Sequence, residues 1–174
     1  EVSPEETIIS LLEVNDLNVS ILNETVSKKQ IGDLIKKSYA IVASNGEGYD
    51  SDNFDSLDSN LKLSSPHPRS FGAFPKAIYD FVKTEPLLSW QETIYKMTGL
   101  PATVLGLKDR GVVKKENYAD LVTLNPSAIQ DKSTYENPFK FSEGINSVIV
   151  NGKIVFNGES LAQVKAGRVL KRTK

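Results

Sequence analysis

An Asn-Gly pair, Asn151-Gly152, sits between two β-rich runs, Ser147-Val148-Ile149-Val150 and Lys153-Ile154-Val155-Phe156. A two-residue type I′ connection needs positive φ at both central positions, which Asn-Gly supplies at little cost. The spacing predicts an antiparallel hairpin over residues 147–156, the tightest local constraint in the chain. Ala119–Leu124, bounded by Asn117 and Pro126, predicts a further strand, and Gly167-Arg168-Val169-Leu170 one more at the edge. The last third is therefore expected to be a small antiparallel β unit.

The first half has a different rhythm. Ser3-Pro4-Glu5-Glu6 is a helix start, with Ser as N-cap, and Ile8, Ile9, Leu11 and Leu12 give the helix one apolar face. Leu17, Val19 and Ile21 alternate with polar residues and predict a strand. Ser27 and Gln30 form a second capping box, whose helix has Ile31, Leu34 and Ile35 as its buried stripe. The run Tyr39–Ala43 lacks alternation and predicts a parallel strand buried on both faces. Strand, helix, strand is a βαβ crossover, and in such folds chemistry gathers just beyond the carboxyl ends of the strands. Those ends are Asn23-Glu24 and Ser44-Asn45-Gly46.

Residues 46–73 break the pattern and predict a long loop. Asp50, Asp52, Asp55 and Asp58 lie in it, without the Gly and closing Glu that a calcium loop requires. From Phe74 helix resumes, with Ile78, Phe81 and Val82 on one face and an end at Pro86. Ser89-Trp90-Gln91-Glu92 opens the next helix, carrying Ile94, Tyr95 and Met97, which Gly99 stops. Pro101 begins a short one ending at Gly106.

Composition narrows the function classes. The 174 residues are 39% hydrophobic, with 21 basic against 22 acidic side chains. That length suits one domain, or one and a half small ones. The near-zero net charge argues against nucleic acid or a membrane surface as partner, and no apolar run approaches the ~20 residues needed to cross a bilayer. A cytoplasmic location is expected. Cys is absent and His67 is the single histidine. A nitrogen/sulfur zinc site takes three or four protein ligands, so this chain alone is expected to bind no metal. The chain opens Glu1-Val2-Ser3-Pro4 and its one Met is Met97, so residue 1 is not expected to be a translation start.

Several segments, in order, resemble the carboxyl-terminal part of N-acyl-D-amino-acid deacylases (D-aminoacylases) of the amidohydrolase superfamily. They are His67-Pro68-Arg69-Ser70-Phe71-Gly72-Ala73-Phe74-Pro75, Lys96-Met97-Thr98-Gly99-Leu100-Pro101-Ala102, Gly106-Leu107-Lys108-Asp109-Arg110-Gly111, Ala119-Asp120-Leu121-Val122 and Val150-Asn151-Gly152. The resemblance spans most of residues 3–172. It implies an α/β fold: a partial (β/α)₈ amidohydrolase barrel, its last strand–helix units over 1–111 with a long loop at 46–73, then part of a small β-sandwich over 112–174. It implies zinc-dependent hydrolysis of an N-acyl-D-amino acid to a carboxylate and a D-amino acid, with metal ligands supplied by earlier strands. The chain alone is then expected to be inactive, and to pair with the missing amino-terminal barrel portion or with a second copy through exposed strand edges.

One departure is sharp. Family members resemble one another in carrying Ser-Asp-Gly where this chain has Ser44-Asn45-Gly46, and that Asp shuttles the proton. A carboxamide has nearly the same shape but cannot accept a proton from metal-bound water at neutral pH. An engineered change, a natural pseudo-enzyme, or another acid in the role (Glu47 and Asp50 are near in sequence) all remain open, as does a plain turn Asn. Asn-Gly is also prone to deamidation. Arg69 resembles a planar two-pronged clamp for the substrate carboxylate, or else pairs with a loop Asp. His67 either meets substrate or holds the loop. Asn23 and Glu24 lie at a strand end or cap a turn. Asp109, Arg110 and Asp120 are expected to be structural, with Asp120 tying barrel to sandwich, and Trp90 and Tyr95 to be core or interface. Competing expectations are a non-catalytic α/β module acting by association, and a dihydroorotase or hydantoinase relative, which leaves His67-Pro68-Arg69 unexplained.

Overall fold

Ser3, Ser27 and Ser89 each start a helix by the same device. In the computed structural model, which describes residues 2–17, 19, 23–49 and 66–172, helix α1 runs Pro4–Val14, α2 Lys28–Ile35, α3 Arg69–Ile78, α4 Trp90–Met97 and α5 Gly99–Leu105. The Ser3 hydroxyl accepts the Glu6 N–H at 3.1 Å while the Glu6 carboxylate accepts the Ser3 N–H at 3.0 Å. Ser27/Gln30 and Ser89/Glu92 repeat this reciprocal pair. Each cap stabilises its helix by about 1 kcal/mol. At the last, the Ser89 N–H and hydroxyl hold the Glu92 carboxyl below its usual range. Gly106, at φ +72°, ends α5.

Helix α3 begins at Arg69, five residues before the expected start, so the predicted loop is helical by its end. Pro75 lies inside α3 and cannot give an N–H to the Phe71 carbonyl; the Ser142 hydroxyl donates to it instead at 3.3 Å. After Ile78 the helix widens into a π-helical segment, Tyr79–Thr84, closed by Glu85 N–H on the Asp80 carbonyl at 2.7 Å. Ile78, Ala77, Leu88, Ala102 and Ile129 form the small core, and Ile129 is completely buried.

The β unit is as predicted at its centre. Strands β1 (Leu121–Leu124), β2 (Ile145–Val150) and β3 (Lys153–Phe156) pair antiparallel in that order. Asn151 and Gly152 turn the hairpin at φ +50° and +79°. An apolar cavity of about 250 Å³ separates α3 from the sheet, lined by Phe71, Pro75, Phe141, Ile145, Val148 and Phe156 among others. Residues 167–170 form no strand: Val169 is 89% exposed, and no described strand forms a ladder with the segment. An edge strand exists only by its ladder, which local composition cannot supply.

The same reason corrects the first half. Tyr39–Ala43 is neither a strand nor buried on both faces; Tyr39 and Ile41 are exposed. Its backbone groups are taken up by α4 instead. Val42 N–H donates to the Lys96 carbonyl at 3.1 Å, and the buried Lys96 Nζ donates to the carbonyls of Lys37 (2.5 Å) and Ala40 (3.3 Å). The predicted strand at 17–21 fails at its first residue, since Leu17 has φ +65°; Ile21 lies outside the described residues. Among the described residues there is no parallel strand pair. The apolar faces of α1 and α2 are largely open: Ile8, Ile9, Leu11, Ile31 and Leu34 are exposed, and of the predicted α2 stripe only Ile35 is buried. Trp90 is half-buried, whereas Tyr95 is exposed. Among the described residues, no helix is long and apolar enough to cross a membrane.

Candidate active site

Asn45, His67 and Arg69 meet at the amino-terminal turn of α3, although Asn45 and His67 are 22 positions apart in sequence. The Arg69 Nε–H donates to the Asn45 carbonyl at 2.9 Å. The Ser70 hydroxyl accepts the Glu47 N–H at 3.1 Å. Gly46 lies between these two bonds, so close that a Cβ there would stand 2.8 Å from Ser70 Cα. Glycine at 46 is therefore required by the approach of two backbones, independently of any turn. Asn45 itself has φ +46°, a left-handed conformation that Asn and Asp adopt more readily than other side chains.

Arg69 is exposed, and its two Nη groups have no hydrogen-bond partner among the described residues. A guanidinium tethered by Nε presents that planar pair outward, the geometry that receives a carboxylate. The alternative partners for Arg69, the loop aspartates at 50, 52, 55 and 58, lie outside the described residues.

His67 is fixed through both ring nitrogens. Nδ1 accepts the Arg69 N–H at 3.2 Å, which places the ring proton on Nε2, and Nε2 lies 3.1 Å from the Tyr135 hydroxyl. The two rings meet edge to face, centroids 5.2 Å apart. Protonating Nδ1 would set N–H against N–H. Burial first, and the Arg69 charge second, accordingly hold the His67 pKa below its ordinary value of 6.5. As pH falls past about 6.5 the unfolded chain takes up this proton before the folded one. The group's contribution to stability is thus present above 6.5 and is lost as pH drops toward the native value. As the only imidazole, His67 gives one resonance, whose NMR titration midpoint is expected below 6.5 and higher in Arg69→Gln. A midpoint at or above 6.5 contradicts this geometry.

Glu47 and Tyr49 complete the cluster. The Tyr49 hydroxyl donates to the Glu47 carboxylate at 3.0 Å, and the Tyr49 ring stacks on Phe71 at 5.5 Å. Burial, then this carboxylate, raises the Tyr49 pKa. Glu47 is thereby engaged by a phenol; Asp50 lies outside the described residues. Tyr135 was not legible in advance: it joins His67 across 68 residues, and nothing in its own neighbourhood marks it.

Asn23 and Glu24 take no part in the cluster. Arg110 and Asp120 belong to a different, structural hub. The Asp120 carboxylate pairs with Arg110 and accepts the Asn151 N–H at 2.7 Å, and Arg110 also donates to Asn151 Oδ1 at 2.6 Å. The Tyr118 ring lies under Arg110 at 4.2 Å and under Arg168 at 5.0 Å.

The described residues include no group of three or more His, Cys, Asp or Glu placed to hold a metal. Both His67 nitrogens are occupied by protein partners. Among the described residues, then, no set of side chains is arranged to hold a zinc ion.

The amidohydrolase family model matches residues 56–156, more than half of the chain, and the chain belongs to that family. It is 40% identical over 105 residues to an N-acyl-D-aspartate deacylase from Alcaligenes xylosoxydans xylosoxydans, an alignment covering 60% of this chain and 21% of that protein. Among solved structures it resembles a D-aminoacylase studied for its binuclear metal center, with one-metal activation and second-metal attenuation (TM-score 0.72, 32% identity, 84% of this chain and 28% of that one). It also resembles an N-acyl-D-glutamate deacylase from Bordetella bronchiseptica complexed with zinc and a phosphonate mimic of the tetrahedral intermediate (TM-score 0.70, 29% identity, 85% and 28%). The chain thus spans about a fifth of the curated relative it matches.

Proposed function

We propose that this chain is the substrate-anchoring, carboxyl-terminal part of a metal-dependent deacylase that hydrolyses N-acyl-D-amino acids. The observation that carries this reading is the convergence of Arg69, His67 and Asn45, with Arg69 Nε bonded to the Asn45 carbonyl. In this reading the free Nη pair of Arg69 grips the substrate carboxylate. In the whole protein Ser44-Asn45-Gly46 would follow the last strand of a (β/α)₈ barrel, a strand that Tyr39–Ala43 could form only against the rest of the protein, and the Asn45 carboxamide would occupy the place of the proton-shuttling acid. It can hydrogen-bond to the reacting groups but cannot accept and return a proton at neutral pH. Zinc, whose chemistry is to polarise the amide and acidify water, would be held by residues outside this chain.

The same reading accounts for the open faces of α1 and α2. Barrel strands and helices supplied by the rest of the protein would cover them and pair with Tyr39–Ala43, so the covering lies there and not in a second copy. The division falls near residue 111, with 112–174 contributing to a β-sandwich. Calorimetric titration of the complete zinc-loaded protein tests it. An N-acyl-D-amino acid is expected to bind and its L enantiomer not, and Arg69→Met to weaken binding about 10- to 100-fold, the worth of a charge-assisted pair. Equal binding by Arg69→Met removes the anchor from the proposal.

A further inference from the structure

Three Asn-Gly pairs occur in the chain, and they are held very differently. Asn151-Gly152 is locked: Asn151 Nδ2 donates to the Ala166 carbonyl at 2.7 Å, Asn151 Oδ1 accepts from Arg110, and the Gly152 N–H donates to the Ala119 carbonyl at 2.9 Å. Asn157-Gly158 has its side chain fixed, with Oδ1 accepting the N–H groups of Glu159 (3.0 Å) and Ser160 (2.9 Å). Asn45-Gly46 is the loose one. Asn45 is exposed, and among the described residues its carboxamide has no hydrogen-bond partner. Among the described residues the Gly46 N–H meets only the hydroxyl of Ser44, at 3.1 Å.

We infer that Asn45-Gly46 is a self-modification site, at which the Asn45 carboxamide converts spontaneously to a carboxylate. The Gly46 nitrogen, losing its proton to solvent hydroxide beside the accepting Ser44 Oγ, attacks Asn45 Cγ. A C–N bond forms, the Cγ–Nδ2 bond breaks and ammonia leaves. Water then opens the cyclic imide to restore a chain ending in a carboxylate, with no oxidant or second substrate. Glycine makes this possible because no side chain shields its nitrogen. At Asn151 the attacking nitrogen and the carboxamide are both already bonded, so reaction there must await local opening of the hairpin.

The frame around residue 45 also selects the product. Ring opening yields either the normal peptide link or one lengthened by a methylene. The Asn45 carbonyl is held by Arg69, the Glu47 N–H by Ser70, and Gly46 lies against the Ser70 backbone. A lengthened link leaves the residue-45 α-carboxyl oxygen able to meet Arg69 but displaces Gly46 and Glu47 from Ser70, so the folded chain favours the normal aspartyl product. For function this deepens the deacylase reading, on which it rests: the carboxamide would be a latent form of the missing acid. The modification itself needs no such reading.

Peptide mass mapping of the purified chain, aged at neutral and at mildly alkaline pH, tests the modification without any activity assay. Asn45 is expected to gain the amide-to-acid mass first, and Asn151 at least about tenfold more slowly, the factor a modest local opening imposes. In guanidinium the three sites should converge in rate. Electron-transfer fragmentation should find more of the normal link at residue 45 in the folded than in the denatured chain. An unmodified Asn45, or an order of rates unchanged by denaturation, overturns the inference. Activity tests fail separately: modification without gain of turnover refutes the latent acid but leaves the chemistry standing.

Discussion

Asn45→Asp in the complete zinc-loaded protein is expected to raise kcat for N-acyl-D-amino acid hydrolysis by about 10²- to 10⁴-fold, the usual worth of a placed general acid–base. KM should change little if, as proposed, the substrate carboxylate is held by Arg69 and not by position 45. The substitution is conservative in every other respect. Asp has the volume of Asn and tolerates the φ of +46° that the backbone adopts there. The Asn45 carbonyl that orients Arg69 is a main-chain group, so the anchor survives. Matched pH–rate profiles check the role: the variant should gain an acid limb that the Asn45 protein lacks. Equal kcat values would show that the proton is handled elsewhere.

The second large effect concerns stability. Asp120→Ala strips the partner from Arg110, whose side chain is only 8% exposed, and removes the acceptor for the Asn151 N–H. Breaking a buried pair from one side costs about 3–5 kcal/mol. Because Asp120 is 34% exposed, the lower end of that range applies, about 3 kcal/mol. Urea unfolding should show a lower midpoint with an unchanged slope. Adding Arg110→Met should recover part of the loss, since no charge is then left stranded. An unchanged midpoint in Asp120→Ala would mean that the hub merely decorates the hairpin.

What was legible in the sequence was what is decided within a few residues. Ser3, Ser27 and Ser89 bond to residues three positions on, and Asn151-Gly152 sets its own turn. What failed depends on distant partners. Tyr39–Ala43 reads as a buried strand, but a strand is a relation between segments, and its backbone is taken up by Lys96. The stripe Ile8, Ile9, Leu11 has helical period and forms a helix, yet period cannot state what will lie on it. The start of α3 was missed because Pro68 leads in without a side-chain cap. The site divides in the same way. Asn45, His67 and Arg69 were singled out by the resemblance of their segments to the deacylase family, whereas Tyr135 and the Ser70 contact to Glu47 emerge only once the chain has folded back.

The Lys96 strap has a mechanical corollary. Val42 is pinned to α4 and Arg69 grips the Asn45 carbonyl, which leaves three residues of chain, about 10 Å at full stretch. Asn45 therefore travels on a short leash anchored at both ends. A shift of α4 pulls on that leash, so the position of the Asn45 amide is set in part from a helix at the other end of a short tether.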